Sequence, residues 1–155
     1  MLRMKWAWLL VIVLCLGVGC QNESDGLTKF PVTGTVTVNG RPVPLVVVNF
    51  QHVETSLPGR NARFPVGVTD ENGRFQLSTN GQYDGAVPGE YVVTFQWLSG
   101  NDSNAFDRFQ GALSNPDRSK FRCNVTEDSS VPKHFELNVP ESKILPLKST
   151  GNISP

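Results

Sequence analysis

The chain is written in short alternations of apolar and polar positions, broken every few residues by Gly, Pro, Asn or Asp. Over Phe30–Val38, Val32, Val36 and Val38 face one way and Thr33, Thr35 and Thr37 the other, the period of two that marks a strand with one buried side. Asn39–Pro44 turns the chain, and Pro42 and Pro44 argue against a continued ladder there. A second strand follows at Leu45–Phe50, with Val46, Val48 and Phe50 on one side. Val66 and Val68, the turn Thr69-Asp70-Glu71-Asn72-Gly73, then Phe75 and Leu77 form the pattern of a hairpin. Tyr91, Val93, Phe95 and Trp97 share a face and predict a central core strand. Phe121, Cys123 and Val125 within Ser119–Thr126, and Phe135, Leu137 and Val139 within His134–Val139, predict the sixth and seventh strands. No stretch after residue 20 carries a helical period over a useful length. The expected fold class is all-β, a seven-stranded β-sandwich over residues 29–142.

The N-terminus follows different chemistry. Arg3 and Lys5 precede an unbroken apolar run, Trp6–Val18, that ends at Gly19-Cys20. The run is shorter than the ~20 residues that span a bilayer. It therefore reads as a signal-peptide helix, residues 1–19, and implies export. The order Leu16-Gly17-Val18-Gly19-Cys20 resembles the lipobox of bacterial lipoproteins, which makes Cys20 the expected lipidation site and a membrane the expected partner. Gly17 stands where a leucine is usual, and Gly17-x-Gly19 also fits ordinary small-x-small cleavage, which leaves a soluble secreted protein. Residues 20–28, with the polar run Gln21–Thr28, read as a tether, and residues 143–155 as a loose tail.

Composition narrows the function classes. Loss of the leader removes Arg3 and Lys5 and leaves twelve basic residues against fourteen acidic ones. That mild negative balance, without Lys or Arg clusters, does not point to a nucleic-acid partner, and none is expected. Of three cysteines, Cys15 departs with the leader and Cys20 is the expected anchor, so Cys123 stands alone as a small buried hydrophobe of a strand.

Candidate chemistry is sparse. Asp70, Gly73, Gly85, Pro88 and Gly89 read as turn formers. Asp70, Glu71 and Asn72 offer oxygens, but calcium needs about six to eight and no loop supplies them, so no metal or other cofactor is expected. His52 in a loop and His134 at a strand start are the only two histidines and read as solvated polar residues, so no catalytic constellation is evident. The loops Gln51–Arg63 and Leu98–Asp117 are the expected contact surfaces; the latter reads equally as a packed excursion, in which Phe106 and Phe109 lie at the spacing of a short helical turn. His52, Tyr83, Phe106 and Phe109 are the candidate contact residues, with Tyr83 the more exposed aromatic and Trp97 the more buried.

Four spaced blocks carry a resemblance. Val32-x-Gly34-x-Val36; Gly40-Arg41-Pro42-Val43-Pro44 leading to Val48-x-Phe50; Thr69-Asp70-x-x-Gly73-x-Phe75-x-Leu77-x-Thr79; and Asp84-Gly85-Ala86-x-Pro88-Gly89-x-Tyr91-x-Val93 resemble the carboxypeptidase regulatory-like domain. Together with Asn115-Pro116-Asp117-x-Ser119, they look like the small lipoproteins carrying that domain in planctomycete-type bacteria. Leu45, Val46 and His52 depart from the pattern. The resemblance implies a transthyretin-like sandwich without catalytic residues, anchored to a membrane facing the periplasm or cell surface. Such a domain would be a structural or interaction module that contacts an envelope protein or a glycan. The alternative expectation is a secreted or surface carbohydrate-binding module. Transthyretin-like hydroxyisourate hydrolases end in Tyr-Arg-Gly-Ser, whereas this chain ends Gly151-Asn152-Ile153-Ser154-Pro155.

Overall fold

The computed structural model describes residues 26–56, 64–128 and 132–147. The signal-peptide region, Cys20 and the last residues of the tail lie outside the described residues. Among the described residues eight strands run in chain order: β1 (Thr33–Val38), β2 (Arg41–Pro42), β3 (Val46–His52), β4 (Val66–Val68), β5 (Arg74–Gln76), β6 (Gly89–Trp97), β7 (Phe121–Val125) and β8 (Lys133–Leu137). They form two four-stranded sheets. With helix limited to short 3-10 turns among the described residues, the chain is an all-β sandwich.

One sheet is built on β1. β8 pairs with it in parallel, Gly34 opposite Lys133 through Val38 opposite Leu137. The other edge of β1 is shared: β5 pairs antiparallel at Thr33–Thr35, and β2 pairs antiparallel at Thr37 and Val38. Between them the Val36 N–H donates to the Gly73 carbonyl at 2.8 Å. The second sheet has the order β4-β3-β6-β7, all antiparallel, with seven register pairs between β3 and β6 from Val46–Trp97 to His52–Tyr91.

Two expectations change here. The Pro-rich turn does continue the ladder, because Thr37 opposite Pro42 and Val38 opposite Arg41 form the short strand β2. Proline is tolerated there because β2 is an edge. The expected hairpin at residues 66–77 is a corner: β4 joins β3 and β5 joins β1, linked by the single bridge of Val66 to Ser78. Val66 and Val68 face outward, while Gly67 is buried. The cause is room for a neighbour, since a Cβ on Gly67 would lie 3.2 Å from the Phe75 ring and 2.8 Å from the Gln76 carbonyl oxygen. The period of two was correct, but its inward phase belongs to a glycine.

The core is aromatic and aliphatic. Phe50 sits among Tyr91, Phe135 and Phe75 at centroid distances of 5.6, 6.2 and 6.4 Å. Phe95 meets Phe121 and Phe135 edge-on at 5.1 and 5.3 Å. Such tilted and edge-to-face pairs contribute beyond the area they bury. Tyr91 is fully buried and donates its hydroxyl to the Val87 carbonyl at 2.8 Å, and burial pushes its phenol pKa up.

Candidate functional site

The outward side of the β1 sheet is a polar ladder. Thr33, Thr35 and Thr37 alternate with buried Gly34, Val36 and Val38, so their hydroxyls share one face. Thr35 is the register partner of His134, with Oγ1 to Nδ1 at 2.8 Å. Thr37 donates to Glu136 Oε2, and Gly40 N–H donates to Oε1 at 2.8 Å; these two hydrogen bonds hold the Glu136 carboxyl below its ordinary range.

Towards β5 this face becomes a groove of about 640 Å³, within the roughly 300–1,000 Å³ usual for ligand sites. Thr33 and Thr35 form its floor, with Arg74 and Gln76, and Val68, Asp70 and Tyr83 stand around it. Leu77 N–H bonds the Val32 carbonyl and Gly73 accepts from Val36. Alternate peptide groups of a strand point to opposite edges, so the peptide of Gln76 turns away from β1 and towards β4.

Tyr83 is 54% exposed. Its φ of 57° is a left-handed conformation that costs a non-glycine residue about 1–2 kcal/mol. The loop beneath explains how it is held. Asp84 accepts from the backbone N–H groups of Thr79 at 2.6 Å, Gly81 at 3.0 Å and Asn80 at 3.1 Å, and Lys29 lies 3.6 Å away. Tyr83 N–H donates to Ser78 Oγ at 2.9 Å, and Thr79 donates to the Gly85 carbonyl at 2.5 Å. Burial works to raise the Asp84 pKa, but the three N–H donors and Lys29 outweigh it and hold the carboxyl below its usual value.

The sign of the resulting pH dependence follows. A carboxyl whose folded pKa lies below its unfolded pKa of about 3.9 contributes stability above that value and loses it as pH falls through the folded pKa. Asp84→Asn is expected to cost about 1–2 kcal/mol at pH 7 and progressively less as pH falls below the unfolded value of about 3.9. Urea melts above and below that value check this; an equal loss at both would reject the charged-carboxylate account.

The other candidate residues have structural positions. Asp70 closes its turn: its N–H bonds the Arg74 carbonyl, and its Oδ1 accepts from Asn72 and Arg74. Gly73, at φ 70°, ends that turn. Gly85, at φ 82°, packs on the backbone of Phe30, and Gly89, at φ 140°, packs on the ring of His52. His52 is a correction. It ends β3, is buried, stacks edge-on to Tyr91 at 4.8 Å and bonds the Pro88 carbonyl at 3.1 Å. That carbonyl only accepts, so Nε2 carries the proton, and Nδ1 accepts from Glu54 N–H at 3.0 Å. Both ring nitrogens are committed to the fold.

Phe109 is a second correction. It is 1% exposed and belongs to the core, while Phe106 is half-buried. The loop after Trp97 is a packed series of hydrogen-bonded turns, without the expected helical turn. Asp107 organises it by accepting from the N–H groups of Trp97 at 3.0 Å, Phe109 at 2.9 Å and Gly111 at 2.8 Å. Arg108 lies 3.7 Å over the Trp97 ring, donates to the Leu145 carbonyl, and so holds the C-terminal segment. Trp97 is therefore half-buried under a cation. Cys123 is buried, and burial raises its thiol pKa.

No family model matches this chain. No curated protein matches it either. Among solved structures it is similar to a 9R-lipoxygenase from Cyanothece, at 17% identity and a TM-score of 0.33, over 73% of this chain and 17% of that one. The chain thus spans about a sixth of that enzyme, and the overlap is too loose to inform either fold or activity. Among the described residues no three His, Cys, Asp or Glu side chains group to hold a metal ion, and no helix is long and apolar enough to cross a membrane.

Of the candidate contact residues, Tyr83 alone lines the groove. The residues missed in the sequence are Arg74, Gln76, Thr33 and Thr35, each visible there as an outward polar position. Asp84 was legible only as part of a turn, because its role depends on three amides that fold around it.

Proposed function

We propose that this chain is an exported, lipid-anchored β-sandwich of the carboxypeptidase regulatory-like, transthyretin-like type, acting as a non-catalytic interaction module of the cell envelope. The observation that carries the reading is the open groove beside Tyr83, which presents a hydroxyl floor, a guanidinium, an amide and a phenol on a sheet face. This arrangement suits reversible contact. Thr35 and His134 do pair, but as register neighbours on a regular ladder, whereas acyl transfer also needs an oxyanion site within about 3 Å of the nucleophile. The lipobox-like Leu16–Cys20 and the polar tether supply the anchoring half of the proposal. Two acyl chains at about 0.8 kcal/mol per buried CH₂ hold such a protein at a membrane surface.

Mass spectrometry of the mature N-terminus from membranes tests the anchor. Diacylglyceryl on Cys20 is the expected result, and an unmodified Cys20 in the soluble fraction would overturn it. Crosslinking on intact envelopes tests the module: a stable partner is expected, and recovery of the protein free of any partner would count against it.

A further inference from the structure

We infer that the groove between Tyr83 and the threonine floor of β1 is a glycan-binding site, in which the Tyr83 ring is the stacking platform for an uncharged hexopyranose unit. The inference rests on the interaction-module reading and names the ligand class of that module's own groove.

Three observations converge. The first is Tyr83 itself. A large aromatic that is 54% exposed in a left-handed conformation is placed at a conformational cost, and such outliers gather at ligand-contacting positions. Its loop is braced from below by Asp84, which takes three backbone N–H groups, and by Ser78. The ring is thus presented on a fixed support, which lowers the ordering cost of binding.

The second is the chemistry around the ring. Hexopyranoses present C–H groups on their faces and hydroxyls at their edges. The C–H groups suit the negative face of an aromatic ring. The hydroxyls suit planar groups that donate and accept in pairs. Arg74 supplies a donor fork, Gln76 an amide of both kinds, Thr33 a hydroxyl of both kinds, and Thr35 the capacity its bond to His134 leaves over, all on the same groove.

The third is shape and charge. The site is an open groove across a sheet face, so a chain of linked units can run through it. One guanidinium and one carboxylate, Arg74 and Asp70, line it together, and Asp70 is already engaged with Asn72 and Arg74 amides. That balance favours an uncharged ligand over a polyanion.

The test uses the full-length protein in phosphocholine nanodiscs, with saturation-transfer NMR and calorimetry against cellohexaose, chitohexaose and mannohexaose, and an extended octapeptide as the rival ligand. At least one hexasaccharide is expected to bind. Tyr83→Asn, which tolerates the left-handed backbone but lacks the ring, is expected to weaken it at least ten-fold, while Tyr83→Phe changes it less than three-fold. Arg74→Gln reports on the same groove if the Tyr83 variant fails to fold, and a loss of several-fold is expected. The inference is overturned if no hexasaccharide binds at millimolar concentration, if the Tyr83→Asn protein binds as well as the wild type, or if the octapeptide alone occupies the groove. Envelope crosslinking separates this failure from failure of the parent reading: a partner captured equally by wild type and Tyr83→Asn keeps the module and removes the glycan.

Discussion

Gly85→Ala is expected to cost at least about 3–4 kcal/mol of folding stability. Gly85 is buried with φ 82° and lies against the start of the domain; a Cβ there would sit 2.5 Å from the Phe30 carbonyl carbon and 2.9 Å from Pro31 N. Both obstacles are backbone, so no rotamer change removes them. The left-handed conformation alone costs an alanine about 1–2 kcal/mol. The clash adds the loss of the two Phe30–Ala86 hydrogen bonds, at 2.9 and 3.0 Å, that pin the chain's entry to the core, each worth about 1 kcal/mol. The sum, about 3–4 kcal/mol, is a sizeable fraction of the ~5–15 kcal/mol that holds a domain together. Gly81→Ala is the control. Its Cβ would meet nothing nearer than 3.7 Å, at Asp84, so a change within about 1 kcal/mol is expected. Circular dichroism melts of both variants check the pair, and a Gly85→Ala protein melting within a few degrees of wild type would reject the account.

Phe50→Ala should be at least as damaging. Phe50 is fully buried and touches the rings of Phe75, Tyr91 and Phe135, which come from both sheets. Removing a buried Phe side chain typically costs about 3–5 kcal/mol in lost transfer energy and residual cavity. For a domain of this size that is a fall in Tm of roughly 12–20 °C, at about 4 °C per kcal/mol. Phe50→Leu keeps most of the volume and should lose well under half as much. Equal losses for the two variants would mean that ring stacking, and not filled volume, sets the stability.

Legibility in the sequence followed the range over which each feature is determined. β1, β3 and β6 were readable because their inward residues are large: Val36 and Val38, Val46, Val48 and Phe50, and Tyr91, Val93 and Phe95 are all buried. β4 was readable as a strand but not as a corner, since its inward residue is Gly67 and the reason lies in Phe75. The parallel pairing of β8 with β1 has no local signal at all. The site divides the same way. Tyr83 stood out as an exposed aromatic among turn residues, whereas Arg74, Gln76 and the threonines looked like any solvent face until β1, β5 and the Ser78–Asp84 loop brought them together. His52 and Phe109 misled because each sits beside polar residues in sequence, and only the fold supplies the buried neighbours that claim them.

The parallel pairing also bears on how the domain comes into being. Thr35 and His134 are register partners 99 positions apart, so one whole edge of β1 is satisfied by nearly the last strand made. Such non-local pairings fold slowly, on the millisecond-to-second scale. A chain emerging from its N-terminus can complete β1 against β2 and β5 early, yet must keep the opposite edge open until Lys133–Leu137 has followed. An unpaired strand edge of alternating Thr and Val is a template for association with other chains. The interval from first emergence to final closure is therefore when this fold is most open to association through the free edge of β1.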